Sequence, residues 1–205
     1  MSIITRKEQK SVCKKHGSDN SSHPNMNEVI KNIMTRQTIR EYTSEQVPME
    51  LLNVVLDAAI RAPSGRNTQP CHLRVLRSKE KLDEMNTDFK NIVGWDTPAY
   101  TGWDIRPVYH NAPTFIFIFA KDKSDMAAGL MAENIALAAK SLGLGSCMIG
   151  SLGGLFDNEN GSKKWKKILD IPEDWCFLLG MTLGYPNEEP PMKDREDGHI
   201  KIIED

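Results

Sequence analysis

No stretch of this sequence approaches the ~18 continuous apolar residues of a membrane-spanning helix, so no span is indicated. Cysteine is scarce: Cys13, Cys71, Cys147 and Cys176 stand far apart, with no C-x-x-C pair and no histidine at zinc-ligand spacing. That excludes a recognisable zinc site and fits reduced thiols in a cytoplasmic protein. The histidines form no H-E-x-x-H or similar cluster, and no metal is expected. An excess of one charge is also missing. The 26 basic and 28 acidic residues are mixed along the chain and leave a net −2, which gives no electrostatic footprint for nucleic acid. Lys163, Lys164, Lys166 and Lys167 read as the solvated face of a helix. Residues 1–25 lack the apolar core of a targeting segment and read as a polar, disordered or loosely attached extension ahead of one domain at 26–205. What is present, 40% hydrophobic residues in a chain of 205, is enough for one domain with a substantial core.

Residues 62–70, A-P-S-G-R-N-T-Q-P, organise the rest. They are too rich in Pro, Gly, Ser and Asn for helix or strand, so they form a loop. Ahead of it Leu52, Val55, Leu56, Ala59 and Ile60 follow the spacing of an amphipathic helix, with Pro48 near its first turn. Behind it residues 71–76 read as a strand. Ser64 and Gly65 allow close backbone approach, and Asn67 and Gln69 each offer a donor and an acceptor, so the loop can hold a polar, phosphorylated ligand. An ordinary connection is the alternative.

Upstream, residues 27–34 form a short helix, followed by an extended segment in which Arg36, Thr38 and Arg40 alternate and can point the same way. That geometry suits a phosphate and a negatively charged ring edge; surface ion pairs with Glu41 and Glu45 are the alternative. Residues 78–89 read as a surface helix. Residues 91–112 read as a long irregular segment whose aromatics favour a lid, and His110 within it is a proton-donor candidate or a structural residue. Residues 113–120 (PTFIFIFA) read as a strand buried on both faces. Ser124 is placed to cap a helix over 125–142 that is apolar almost all round, in the core or at a subunit interface. Residues 143–155 (GLGSCMIGSLGGL) follow a helix and do not match G-x-G-x-x-G, so a Rossmann reading is poor; small residues here let a backbone approach a flat ring. Cys147 reads as a small buried residue more than as a nucleophile. A basic-faced helix over 162–169 and a strand over 176–183 lead to an extended tail in which Lys193 and Arg195 alternate. These two face one ligand or pair with Asp194, Glu196 or Asp197 in solvent.

The order R-x-T-x-R, then P-S-x-x-N-x-Q-P, then a Gly-rich strand exit, then G-Y-P and K-x-R resembles the nitroreductase family of FMN-dependent oxidoreductases, over residues of about 26 to 195. The resemblance implies an α+β fold, a three-layer helix/sheet/helix domain with a mixed, mostly antiparallel sheet, in an intertwined homodimer with FMN at the interface. It assigns Arg36 and Thr38, with Gln37 between them, to the ribityl phosphate side, and Arg40 to the flavin N1 and C2 carbonyl edge. Two-electron reduction leaves negative charge near N1, and a fixed guanidinium shielded from water stabilises it. By the same resemblance Met148, Ile149, Gly150 and Ser151 run along the flavin edge, with the Gly150 amide near N5, and Lys193 and Arg195 grip the phosphate. Pro63, Ser64, Gly65, Asn67 and Gln69 complete the set; Pro63, Ser64, Gly65 and Asn67 come from the other subunit. Tyr100 and Trp103 are candidates for the substrate lid. Thr38 stands where Ser is frequent, and Cys71 and His72 where an aromatic often follows Pro70.

The implied activity is reduction of a nitroaromatic, quinone or similar acceptor with NADH or NADPH, by ping-pong hydride transfer through flavin N5 and with no side chain as covalent catalyst. The alternatives are a non-catalytic flavin-binding protein for storage or sensing, and a specialised dehydrogenase or dehalogenase on the same scaffold.

Overall fold

The computed structural model describes residues 26–95 and 107–204, so the N-terminal extension and the lid candidates Tyr100 and Trp103 lie outside the described residues. In chain order the elements are α1 (Glu28–Thr35), α2 (Met49–Ile60), β1 (His72–Leu76), α3 (Lys79–Val93), β2 (Thr114–Ala120), α4 (Asp125–Ser141), β3 (Gly145–Ile149), α5 (Gly153–Asp157), α6 (Glu159–Ile168) and β4 (Cys176–Gly184). They fall in two units, one of Arg36–Pro190 and a smaller one that contains the described residues before Arg36 and after Pro190.

The larger unit is organised by β2, whose seven residues are all buried, as a strand read as apolar throughout must be. Its alternation sorts the core. Ile116 and Ile118, with Met181 and Leu183 of β4, pack against Leu52, Val55 and Ala59 of α2 and Met131, Ile135 and Ala139 of α4. Phe115, Phe117 and Phe119 turn to the opposite face, against Leu82, Met85 and Phe89 of α3, Leu155 of α5 and Trp165 of α6. Helices therefore cover both faces of one sheet, the α+β arrangement in three layers.

The strand order is β1-β2-β4-β3. After β3 the chain passes through α5 and α6, and β4 then enters between β2 and β3 and runs against both. Together with the β1–β2 pair this gives the mostly antiparallel sheet that was expected; every strand pair among the described residues is antiparallel.

Several local expectations are corrected. Helix α3 extends through Val93, so residues 91–93 are not irregular. Pro107 to Ala112 is an ordered turn: Tyr109 is buried, its hydroxyl donates to Asp83, and His110 and Asn111 adopt left-handed backbone. Ser124 does not cap α4 with its side chain; its hydroxyl donates to the Asp122 carbonyl at 3.0 Å instead. Lys166 is not solvated but buried, because its Nζ reaches the Glu173 carbonyl at 2.8 Å and closes the end of α6.

On the outer side of α3 and α6, Lys164 bridges Glu84 at 2.8 Å and Asp88 at 2.6 Å, while Lys81 adds a second cation to Glu84 at 2.7 Å. Lys164 and Lys81 hold the Glu84 carboxyl down to about 2. A depressed carboxyl stabilises the fold above its ordinary value and loses that contribution as pH falls through its folded value. Glu84→Gln is therefore expected to lower stability at pH 7 by on the order of 0.5 kcal/mol, the scale of a solvent-screened pair. The difference should vanish towards pH 2. Urea titrations at both pH values check this, and an unchanged gap at low pH would refute it.

The smaller unit carries α1, whose apolar residues Val29, Ile30, Ile33 and Met34 are all exposed, and the tail, where Ile200, Ile202 and Ile203 are each more than three-quarters exposed.

Candidate functional site

The site is built on the free edge of β3. The Ile39 amide donates to the Ser146 carbonyl at 3.0 Å, which lays residues 36–40 beside the strand. Gly145 is what allows this approach: a Cβ there would stand 2.8 Å from both Cβ and Cγ1 of Ile39. With Ile39 buried against the strand, and Gln37 donating through Nε2 to the Pro190 carbonyl at 2.6 Å, the alternate residues Arg36, Thr38 and Arg40 take the other side of the segment. The expected alternation is thus present, but the Gln37 side chain is engaged in holding the chain.

Residues 185–190 act as a strap. Thr43 N–H donates to the Tyr185 carbonyl and Asn187 N–H to the Glu41 carbonyl, at 3.0 and 2.9 Å, and Tyr42 bridges Pro186. Glu188 Oε1 accepts from the Arg40 and Glu41 amides, the latter at 3.2 Å. Beneath the strap Tyr42 donates its hydroxyl proton to the Ile39 carbonyl. The Thr182 hydroxyl, 2.6 Å away, must then be the donor to Tyr42, while its own oxygen accepts from Cys147 N–H at 3.0 Å. Burial pushes the Tyr42 phenol strongly up, so it stays a donor. Burial also pushes the Cys147 thiol up; Arg40 pulls it down and Glu188 pushes it up, so both charges act on the residue just before the strand exit. A buried thiol held protonated is a packing residue and not a nucleophile.

At that exit Met148, Gly150 and Ser151 are exposed, whereas Ile149 is buried in the core and paired with Gly180 of β4. A Cβ at Gly150 would meet nothing within 4 Å.

The loop after α2 is separate from this edge. Arg66, Asn67 and Gln69 have φ of 54°, 56° and 46°. Left-handed backbone costs about 1–2 kcal/mol at a non-glycine residue, least at Asn, and it persists where neighbours enforce it. Here Ser64 enforces it: its Oγ accepts from Gln69 N–H and its carbonyl from Asn67 N–H, both at 2.9 Å. The Ser64 hydroxyl thus holds the loop. Pro63, Gly65, Asn67 and Gln69 are exposed. Ala62, Pro63, Ser64, Gln69, Cys71 and Met131 line a pocket of ≈ 170 Å³, to which neither residues 36–40 nor residues 148–151 contribute. Helix α4 spans the two parts: Glu133 pairs with Arg36 at 3.6 Å, and Asn134 Nδ2 donates to the Ala58 carbonyl at 2.9 Å at the end of α2.

The ion-pair partner of Arg36 is thus Glu133, not Glu41 or Glu45. Lys193 and Arg195 lie exposed in the smaller unit, and no ion pair to either occurs among the described residues. Sequence reasoning missed Glu133, Thr182 and Glu188 as parts of the site. For Glu188 the only signal was the run G-Y-P-N-E-E, which does not say which glutamate turns inward.

The fold and this edge define a layered α+β domain that offers a cationic segment and an open, glycine-lined strand exit to a small anionic ligand. The chain belongs to the nitroreductase family, whose model matches residues 33–185. It is 32% identical over 182 residues, 84% of this chain and 93% of the other, to an Archaeoglobus fulgidus protein provisionally named NADH dehydrogenase/NAD(P)H nitroreductase. It is 26% identical to the NADPH-flavin oxidoreductase of Vibrio harveyi, over 87% of this chain and 74% of that one. A nitroreductase of Bacteroides fragilis, solved with bound FMN, superposes with a TM-score of 0.79 at 29% identity, over 87% of this chain and all (100%) of the other.

Proposed function

We propose that this chain is an FMN-dependent oxidoreductase that uses NADH or NADPH to reduce nitroaromatic, quinone or similar acceptors in a ping-pong cycle. The observation that carries the reading is the extended segment with Arg36, Thr38 and Arg40 on one side, pinned by Ile39 beside an open strand exit at Met148 to Ser151. The residues present fit FMN. Two arginines and a hydroxyl suit a phosphate and an electron-rich ring edge. The empty space over Gly150, and likewise over Gly65, is where a side chain would obstruct a flat ring.

Bound there, FMN supplies hydride chemistry at its N5. The protein's share is binding, orientation and charge. Arg36 and Thr38 hold the phosphate end. Arg40, fixed through its own main chain, presents positive charge where reduction places negative charge. The exposed residues Met148, Gly150 and Ser151 would offer their main chain to the reacting edge. Lys193 and Arg195 are further phosphate contacts on family resemblance alone.

The complete site is that of a homodimer. Pro63 and Ser64 border a pocket that lacks residues 36–40, so they, with Gly65 and Asn67 of the same loop, would serve the flavin held by the partner's arginines. The exposed stripe of α1 and the exposed isoleucines of the tail are the apolar surface such a dimer would cover.

An anaerobic absorption spectrum of the FMN-loaded protein, isolated at its native size, before and after NADH and then NADPH, tests this. Flavin that migrates with a dimer and bleaches on adding either donor is the expected result. Flavin that stays oxidised with both would favour a storage or sensing role. Failure to retain FMN would refute the reading.

A further inference from the structure

We infer that Glu188 is a positioning residue for Arg40 whose negative charge also sets how readily a bound flavin is reduced, an inference that rests on the flavin reading above. Nothing in R-x-T-x-R or K-x-R assigns it a role.

The clamp itself is plain. One carboxylate oxygen accepts from two successive amides, those of Arg40 and Glu41, so it fixes the main chain from which the Arg40 side chain departs. The strap that carries Glu188 is anchored independently, by the Thr43–Tyr185 and Asn187–Glu41 hydrogen bonds and by Gln37 on Pro190. Glu188 is therefore held at a set place and is not a tethered surface charge. It is half-buried, whereas Glu189, one residue on, is exposed.

The charge has a target. Arg40 and Glu188 both act on Cys147, with opposite signs, and Cys147 directly precedes the strand exit. A partly desolvated pair of fixed opposite charges produces a far stronger local field than the same pair in water. Arg40 favours negative charge at the exit; Glu188 offsets part of that. The structure thus contains a cation that draws electrons into the site and a fixed anion that limits how far. A flavin held too firmly in its reduced form would pass electrons on reluctantly, and a counter-charge restores the balance between taking and giving them.

Substitutions separate the two roles. Glu188→Gln keeps an oxygen acceptor for both amides and removes the charge. Glu188→Asp keeps the charge and withdraws the acceptor by one methylene. Glu188→Ala removes both, and Glu189→Gln makes the same charge change on the exposed neighbour. Each would be loaded with FMN and titrated anaerobically for its midpoint potential, with the dissociation constant of oxidised FMN measured alongside. Glu188→Gln is expected to bind oxidised FMN within about twofold of wild type. It should favour the reduced form about tenfold more, a rise of about 30 mV for a two-electron couple. Glu188→Asp should keep the wild-type potential and bind FMN more weakly, Glu188→Ala should show both changes, and Glu189→Gln neither.

A wild-type potential in Glu188→Gln would overturn the inference and leave Glu188 a clasp only. If that variant does not fold, equal potentials in Glu188→Asp and Glu188→Ala would overturn it equally. Wild-type protein that does not retain FMN would refute the flavin reading itself, a result distinct from either.

Discussion

Alanine at position 145 is expected to weaken FMN binding at least tenfold and to lower the melting temperature by several degrees, in a protein that still folds. The added Cβ would stand 2.8 Å from Cβ of Ile39 and within 2.9 Å of its two γ carbons. Because the Ile39 Cβ is itself in collision, no rotamer of that side chain relieves the contact. The segment must move off the strand, and the Ile39–Ser146 hydrogen bond of 3.0 Å goes with it. Overpacking and one lost buried hydrogen bond together cost about 2–3 kcal/mol, which in a domain of this size is roughly 4–12 °C. Ile39→Ala in the same chain removes the γ-carbon contacts but not the β-carbon one, so it should restore part of the loss. Isothermal titration with FMN and thermal unfolding read both quantities. Wild-type values for Gly145→Ala would mean that residues 36–40 are not pinned to β3 in solution.

The second large effect is expected from Arg40→Gln, which retains a donor and removes the charge. Reduction of the bound flavin by NADH or NADPH should slow about a hundredfold, the scale of losing one fixed donor aimed at developing negative charge. The midpoint potential should fall, opposite in sign to Glu188→Gln. Arg40→Lys should recover part of the rate, since it restores the charge without the planar fork. Stopped-flow reduction and potentiometry separate this from a binding defect. A normal potential with a slow rate would place Arg40 on the hydride donor and not at the flavin edge.

The parts of the fold legible in the sequence are those whose cause is local. Leu52, Val55 and Ala59 announce α2 by period, and the PTFIFIFA run announces a two-face strand because no polar residue interrupts it after Thr114. The loop at 62–70 is readable because Pro, Gly and Asn favour turns. Ser124 illustrates the limit: a serine before a helix is a capping signal, but its hydroxyl is turned back to donate to the Asp122 carbonyl and accepts from no amide of the first turn. Lys166 illustrates another, since its burial depends on a carbonyl reached only after the chain turns at the end of α6.

The candidate site was legible in its charged segment and opaque in its supports. Arg36, Thr38 and Arg40 could be named from alternation. Their partners could not, because Glu133 and Glu188 lie on elements far along the chain and every surface glutamate is an equal candidate until the strands are registered. The bridge between Tyr42 and Pro186 decides the matter: it sets the strap's phase, and Glu188, two residues beyond Pro186, turns to the Arg40 main chain while Glu189 does not.

That strap has a bearing on the order of events during synthesis. Arg40 and its clamp are separated by 148 positions in the chain. The arginines leave the ribosome early, yet the carboxylate that clamps the Arg40 main chain follows only after β4, with the strap. Contacts of such long separation form late. The nascent chain would therefore pass through most of its translation with its cationic segment unassembled, and cofactor loading would belong to the released polypeptide.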